Sequence, residues 1–146
     1  MADVLQAVAF SIGGEEFVLD IACVEQIIRA VPVTRVPRMP EHVLGVINVR
    51  GKVVPVISGA SRIGLEGDEK PRRVILCSRE GRRAGLLVDN VKELLRIPRD
   101  LLFPPPTVMG GMNAVLVQAV VRLDERLLIL LCPEILDEAT SRPAAA

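Results

Sequence analysis

The chain has 146 residues, 18 of them basic and 18 acidic, so its formal net charge is zero. Half of it is apolar but only 2% is aromatic, with three Phe and no Trp or Tyr. The apolar fraction excludes wholesale disorder, and the length fits one domain or two small subdomains. The balanced charge weighs against a nucleic-acid binder that relies on a broad basic field. Cutting the chain after Lys70 changes little: 7 basic and 9 acidic residues fall before the cut, 11 and 9 after it.

The three cysteines, Cys23, Cys77 and Cys132, are scattered among aliphatic residues. An odd, dispersed set reads as reduced core thiols of a cytosolic protein rather than a disulfide framework or a zinc site. Met1-Ala2-Asp3 carries no basic segment ahead of an apolar run, so no secretory signal is expected. The longest uncharged run, 101–121, is interrupted by Pro104-Pro105-Pro106 and Gly110-Gly111, and its apolar parts on either side, such as 113–121, fall well short of the roughly 20 residues of a membrane helix.

In chain order the pattern is short strands cut by turns. Residues 5–12 and 16–21 flank Gly13-Gly14 and predict a hairpin. Residues 24–31 read as a further strand, although 23–28 are also compatible with a helical turn. Pro32, Pro37 and Pro40 exclude regular helix through the next stretch, and Pro40-Glu41-His42-Val43 can open one short turn. Gly45-Val46-Ile47-Asn48-Val49 and Lys52-Val53-Val54-Pro55-Val56-Ile57 flank Arg50-Gly51, a second hairpin. Pro55 cannot donate to a ladder, so its strand is expected at an edge there. Residues 58–61 are small and polar, and 64–73 read as an exposed linker.

The second half repeats the style. Residues 73–77 and 84–88 flank the turn Glu80-Gly81-Arg82, and 91–97 form another apolar run that ends at Pro98. Gly110-Gly111 marks a flexible loop. Residues 114–123 and 126–131 flank Asp124-Glu125 as a last hairpin. Pro133-Glu134-Ile135-Leu136 suggests a short closing helix, and 141–146 a frayed tail. About five strands in each half, with abundant Gly and Pro, predict an all-β sandwich or barrel whose halves share an apolar interface.

No catalytic set emerges. His42 is the one histidine, and no Ser or Cys nucleophile is tied to it by a recognisable motif. Gly13-Gly14-Glu15-Glu16 lacks the lysine and the glycine spacing of a phosphate loop. Gly59-Ala60-Ser61 is not a nucleophile elbow. Arg72-Arg73 and Arg82-Arg83 can line up as a basic strip on neighbouring strands, but without aromatic stacking partners they make a poor single-strand nucleic-acid site. What remains is more aliphatic surface than small barrels can hide, the mark of a protein-interaction module.

Gly45-Val46-Ile47-Asn48-Val49-Arg50-Gly51, followed by Val54-Pro55-Val56, resembles the signature of the CheW-like family. That family holds bacterial chemotaxis coupling proteins and the matching regulatory domain of chemotaxis histidine kinases. The agreement continues in order. It runs through Phe10 and Glu15-Glu16-Phe17, Asp20-Ile21 to Val24, Ile27-Ile28-Arg29, Val33-Thr34-Arg35-Val36-Pro37 and Gly85-Leu86-Leu87-Val88-Asp89. It covers about residues 5–138.

The resemblance implies two five-stranded SH3-like barrels around a shared apolar centre. The first would span about 1–70 and the second about 71–138, with strands free to exchange, followed by a flexible tail at 139–146. It also implies a cytoplasmic, non-catalytic adaptor with no cofactor, recruited to receptor arrays. Its partners would be the cytoplasmic tip of a chemoreceptor, lying in the groove between barrels, and the kinase regulatory domain, docking edge to edge.

Carried over by position, Val24, Gln26, Gly45, Arg50, Gly51, Val74 and Leu94 would form the coupling surface. Val24, Val74 and Leu94 would supply apolar contact, and Gly45 a close backbone approach. Arg50 would order the hairpin and rim, with Gly51 as its turn partner. Two departures stand out. Gln26 replaces the usual Glu partner of that Arg, with Glu25 beside it, and Ser58-Gly59-Ala60 replaces an Asp-Leu-Arg run. Two alternatives stay open: a small enzyme or ligand-binding barrel, and a divergent family member that binds the kinase but not the receptor.

Overall fold

The protein was analysed as a computed structural model that describes residues 3–67, 73–106, 112 and 114–137. Eleven strands run through the described residues. They are β1 (Val4–Ile12), β2 (Glu15–Asp20), β3 (Val24–Arg29), β4 (Val43–Val49), β5 (Lys52–Ser58), β6 (Arg73–Arg79), β7 (Arg82–Val88), β8 (Asn90–Pro98), β9 (Leu102–Phe103), β10 (Val117–Leu123) and β11 (Arg126–Leu131). One helix, α1 (Gly59–Ile63), follows β5, and 3-10 turns cover Ile21–Cys23, Arg99–Leu101, Ala114–Leu116 and Pro133–Leu136.

The glycine-marked hairpins form where expected, for a local reason. A two-residue β-hairpin loop that follows the twist of its strands needs positive φ at both positions. Gly13-Gly14 supplies φ 60° and 82°, Arg50-Gly51 supplies 51° and 82°, and Glu80-Gly81 supplies 52° and 78°. At Arg50-Gly51 the Gly51 amide also donates to Asn48 Oδ1 at 2.9 Å.

The strands sort into a six-stranded sheet, β8-β1-β2-β11-β10-β9, and a five-stranded sheet, β3-β6-β7-β5-β4. The sheets therefore do not divide at residue 70. The N-terminal hairpin β1–β2 joins the C-terminal strands, through antiparallel β1–β8 and parallel β2–β11 pairing. The hairpin β6–β7 joins β3–β5, through antiparallel β3–β6 and parallel β5–β7 pairing. The sixth strand of the larger sheet is the two-residue β9 on β10.

The apolar runs explain why both faces are buried. Along β6, Val74 and Leu76 enter a core inside the five-stranded sheet with Ile47, Val54 and Val56. Ile75 and Cys77, on the opposite face, enter a larger core shared with Phe10, Phe17 and Ile129 of the other sheet. Leu128 and Leu130 face a third core inside the six-stranded sheet, while Ile129 and Leu131 face the shared one. A strand buried on both faces reads as a continuous apolar run rather than an alternation. The result is the all-β fold expected: two curled sheets, each with its own core, joined by a common apolar centre.

Two local expectations change and two hold. Residues 58–61 start α1: Ser58 Oγ accepts from the Ser61 amide at 3.1 Å, and Gly64 (φ 84°) ends the helix. Gly59 is buried, because a Cβ there would lie 2.8 Å from Ile12 Cδ1 and from the Leu87 carbonyl oxygen. Of the two readings left open for 23–28 the strand holds: a 3-10 turn ends at Cys23 and β3 follows. The short helix expected at Pro133-Glu134-Ile135-Leu136 forms as a 3-10 helix, with Pro133 in its first turn. Finally, β5 is an interior strand, but its ladder with β7 begins at Val56, so Pro55 sits just outside it. The expected loop at Gly110-Gly111, the tail at 141–146 and part of the linker at 64–73 lie outside the described residues.

Candidate functional site

The seven residues carried over from the family fall in three places. Val24 opens β3 opposite Cys77, half-buried against the shared core, and Gln26 faces Leu76 after a bulge. Gly45, Arg50 and Gly51 belong to the β4–β5 hairpin at the opposite edge of that sheet's strand order. Leu94 lies opposite Val8 on β8, an edge strand of the other sheet, and is 56% exposed.

Val74 does not belong to a surface. It is fully buried in the inner core of the five-stranded sheet, so its side chain offers no contact to a partner. The cause is parity: Val74 and Leu76 share one face of β6, and that face points into the curl of the sheet.

Gly45 has an intramolecular reason to be glycine. Its φ is 153°, and a Cβ there would overlap the Thr34 carbonyl oxygen and sit 2.8 Å from Val33 Cγ1. The absent side chain lets the segment after β3 fold back onto β4. Thr34 and Val46 exchange backbone hydrogen bonds of 2.9 Å in both directions. The close approach implied by the resemblance is thus made within the chain.

Arg50 is exposed at the tip of its hairpin, and its side chain forms no ion pair among the described residues. Glu25, the acid next to Gln26 in sequence, is engaged elsewhere: Arg83 Nε donates to its Oε1 at 2.8 Å. The ordering of Arg50 by a neighbouring carboxylate is therefore not present.

Three exposed aliphatic side chains stand out besides the expected ones. Val53, next to Lys52 at the β4–β5 tip, is 68% exposed, and Leu127, next to the Asp124-Glu125 turn, is 63% exposed. Val115 is also exposed. Phe103, Pro104, Met112, Val120, Leu127 and Ile129 line an apolar cleft of about 360 Å3 with Glu15 at its rim. Arg122 lies over the Phe103 ring, 5.7 Å from its centroid. The sequence reading missed this cleft because its walls come from three segments that meet only through the β2–β11 and β9–β10 pairings.

Two arginines on the five-stranded side hold the end of the other side. Arg62 of α1 donates to the carbonyls of Ile135 and Glu134, at 3.3 and 3.2 Å. Arg79 of β6 donates to Asp137 Oδ1 at 2.9 Å and lies 3.5 Å from Glu134 Oε2. The hydrogen bond to Asp137 raises the Arg79 guanidinium further above its ordinary value. The run Ser58-Gly59-Ala60 thus serves this seam, placing Arg62 one turn into α1.

A serine does meet the histidine. Ser61 Oγ lies 2.6 Å from His42 Nδ1, a pair separated by 19 residues that no motif announced. Glu41 Oε2 stands 3.9 Å from Nε2, beyond hydrogen-bond range. The cysteines form no disulfide. Cys77 is buried, and burial pushes its thiol up to about 12, while the half-buried Cys23 and Cys132 are raised for the same reason. None of the three has the lowered pKa of a nucleophile. Among the described residues there is no His, Cys, Asp and Glu cluster able to hold a metal ion, and no helix long and apolar enough to cross a membrane.

Comparison with known proteins agrees with this architecture. The model of the CheW-like domain matches residues 6–139. The probable chemotaxis protein CheW of Rhizobium etli is 34% identical over 96% of this chain and 92% of its own length. The chemotaxis protein CheW of Helicobacter pylori is 34% identical over 76% of this chain and 68% of its own. The crystal structure of the scaffolding protein TtCheW from Thermoanaerobacter tengcongensis superposes with a TM-score of 0.84 at 33% identity, covering 97% of both chains. Fold, length and sequence agree from end to end, and the chain belongs to the CheW-like family.

Proposed function

We propose that this protein is a non-catalytic adaptor that couples chemoreceptor tips to a chemotaxis histidine kinase. The observation that carries the reading is the end-to-end match, in fold and in length, to a scaffolding protein of the family. The partners are the receptor's cytoplasmic tip and the kinase regulatory domain. Signal passes through altered contacts, with no cofactor. The protein works in the cytoplasm at receptor arrays.

Arg50 and the exposed aliphatics Val53 and Leu94 supply the contact chemistry: a long unpaired cation beside apolar side chains, the mix found at protein interfaces. Reversing the charge at an exposed hairpin tip leaves the cores untouched. Arg50→Glu is therefore expected to keep the fold, read by circular dichroism, while receptor-stimulated kinase activity falls at least about tenfold, the loss of one hot-spot contact. Unchanged receptor-stimulated activity in that variant would remove Arg50 from the coupling surface.

The family member that binds kinase alone is the second reading. It is favoured by Gln26 in place of Glu and by the engagement of Glu25 with Arg83, which leave Arg50 without its usual partner. Separate titrations with kinase domain and receptor fragment distinguish the two.

A further inference from the structure

One end of the six-stranded sheet opens into a cleft that none of the seven carried-over residues lines. The starts of β1 and β10 meet the ends of β2, β8 and β11 there, away from the Asp124-Glu125 turn. The cleft holds about 420 Å3. That is within the roughly 300–1,000 Å3 of small-ligand pockets, which favour the mouths of β-barrels. Its floor is apolar: Leu5 and Leu130, both buried, belong to the inner core of that sheet. Its rim is polar and carries both signs, with Asp20, Arg99, Gln118 and Glu134.

The opposite charges of Asp20 and Arg99 are not spent on each other. Arg99 follows β8 and Asp20 ends β2, with β1 between them, so about 10 Å separates their backbones. Asp20 Oδ1 accepts from the Ala22 amide at 2.9 Å, and the carboxylate has no ion pair among the described residues. Its second oxygen remains for a ligand donor. Arg99 Nε lies 2.9 Å from Asp3 Oδ1, which takes one of the five N–H donors of the guanidinium. The terminal nitrogens remain for a ligand carboxylate. The half-buried Cys23 thiol is pushed up first by burial and next by Asp20, with Arg79 opposing and Glu134 adding to the rise. Asp20 and Glu134 thus act on one neighbourhood and make it favourable to a cation.

We propose that this cleft binds a free α-amino acid with an apolar side chain. Arg99 takes the carboxylate, Asp20 takes the ammonium, and the side chain covers Leu5 and Leu130. A ligand of one charge would cover the rim and leave the opposite rim group without its partner, whereas a zwitterion satisfies both. Gln118 brings an amide that can donate or accept beside them. The inference does not rest on the adaptor reading, since neither receptor nor kinase takes part.

The test is a titration of the full isotope-labelled chain with L-leucine, followed by amide chemical shifts. Saturable shifts are expected at Asp20, Arg99, Gln118 and Glu134, and none at Arg50 or Leu94. Two analogues separate the charges: leucinamide lacks the carboxylate, and N-acetyl-leucine lacks the ammonium. Each should bind about tenfold or more weakly, the loss of one charge-assisted contact. Two variants then assign those contacts, their folding checked by circular dichroism. Asp20→Asn keeps a side chain able to cap the 3-10 turn, and Arg99→Gln alters an exposed residue. Arg99→Gln should weaken leucine to the level of leucinamide and leave leucinamide itself unchanged. Asp20→Asn should weaken leucine to the level of N-acetyl-leucine and leave that analogue unchanged. Absence of saturable shifts at the four rim amides at high millimolar leucine overturns the inference. So does equal binding of all three ligands, or leucine binding untouched by either variant. Binding to a kinase domain is a separate readout, so either reading can fail without the other.

Discussion

Val74 illustrates how a residue can match a family position and serve a purpose the match does not reveal. Its place in a run of aliphatics was plain in the sequence, but which face of β6 turns inward depends on the curl of the sheet. Val74→Ala should cost about 2 kcal/mol of stability, the burial of a Val side chain plus the void it leaves, measured by urea unfolding. A binding defect with unchanged stability would return Val74 to the surface. Cys77 was legible as a core thiol, and its pKa gives the burial a pH signature. Its folded value, about 12, lies above the ordinary value of 9.0. Below pH 9 the thiol is protonated in both states, and its contribution to stability is fully present. Between about 9 and 12 the unfolded chain ionises while the folded thiol does not, so stability falls by up to about 1.4 kcal/mol per pH unit. The urea midpoint should decline through this window, and the slope should be shallower in Cys77→Ala; equal slopes would mean Cys77 is not the group responsible.

At the scale of elements, what could be read was what is local. The hairpins at Gly13-Gly14, Arg50-Gly51 and Glu80-Gly81 are encoded by a few adjacent residues that accept positive φ. Helix α1 was also encoded locally, and overlooked: Ser58 is a good N-cap, and Gly64 stands just past the last helical residue. Its five residues are too few to show helical periodicity, which is why the bracketing residues were the only available signal. Ser58→Ala should cost about 1 kcal/mol through the lost bond to the Ser61 amide. Because α1 also carries Arg62, the same variant should speed hydrogen exchange at the closing turn Pro133–Leu136. Protection unchanged there would separate the cap from the seam.

At the scale of the molecule, the two-barrel fold followed from family resemblance, while its wiring was out of reach of pattern reading. The pairings β1–β8, β2–β11 and β5–β7 join segments far apart in the chain, and nothing in either partner strand names the other. The same wiring hides a charge asymmetry. A cut at Lys70 finds two nearly neutral pieces, whereas the sheets collect basic residues on one side and acidic ones on the other. It also explains why the expected coupling residues lie on separate elements: Val24 and Gln26 on β3, the Arg50 tip on the far hairpin, and Leu94 on the edge of the other sheet. An adaptor that engages two partners at once has use for separated patches on a frame stiffened by a shared core.

The most direct test of that account is a calorimetric titration of this protein into the isolated regulatory domain of a chemotaxis kinase from the same source. Intrinsic fluorescence would report little, since the chain has no Trp or Tyr. Saturable one-to-one binding in the micromolar range or tighter, weakened in Arg50→Glu, is the result the account predicts. Absence of binding at high concentration, with the protein folded, would contradict it.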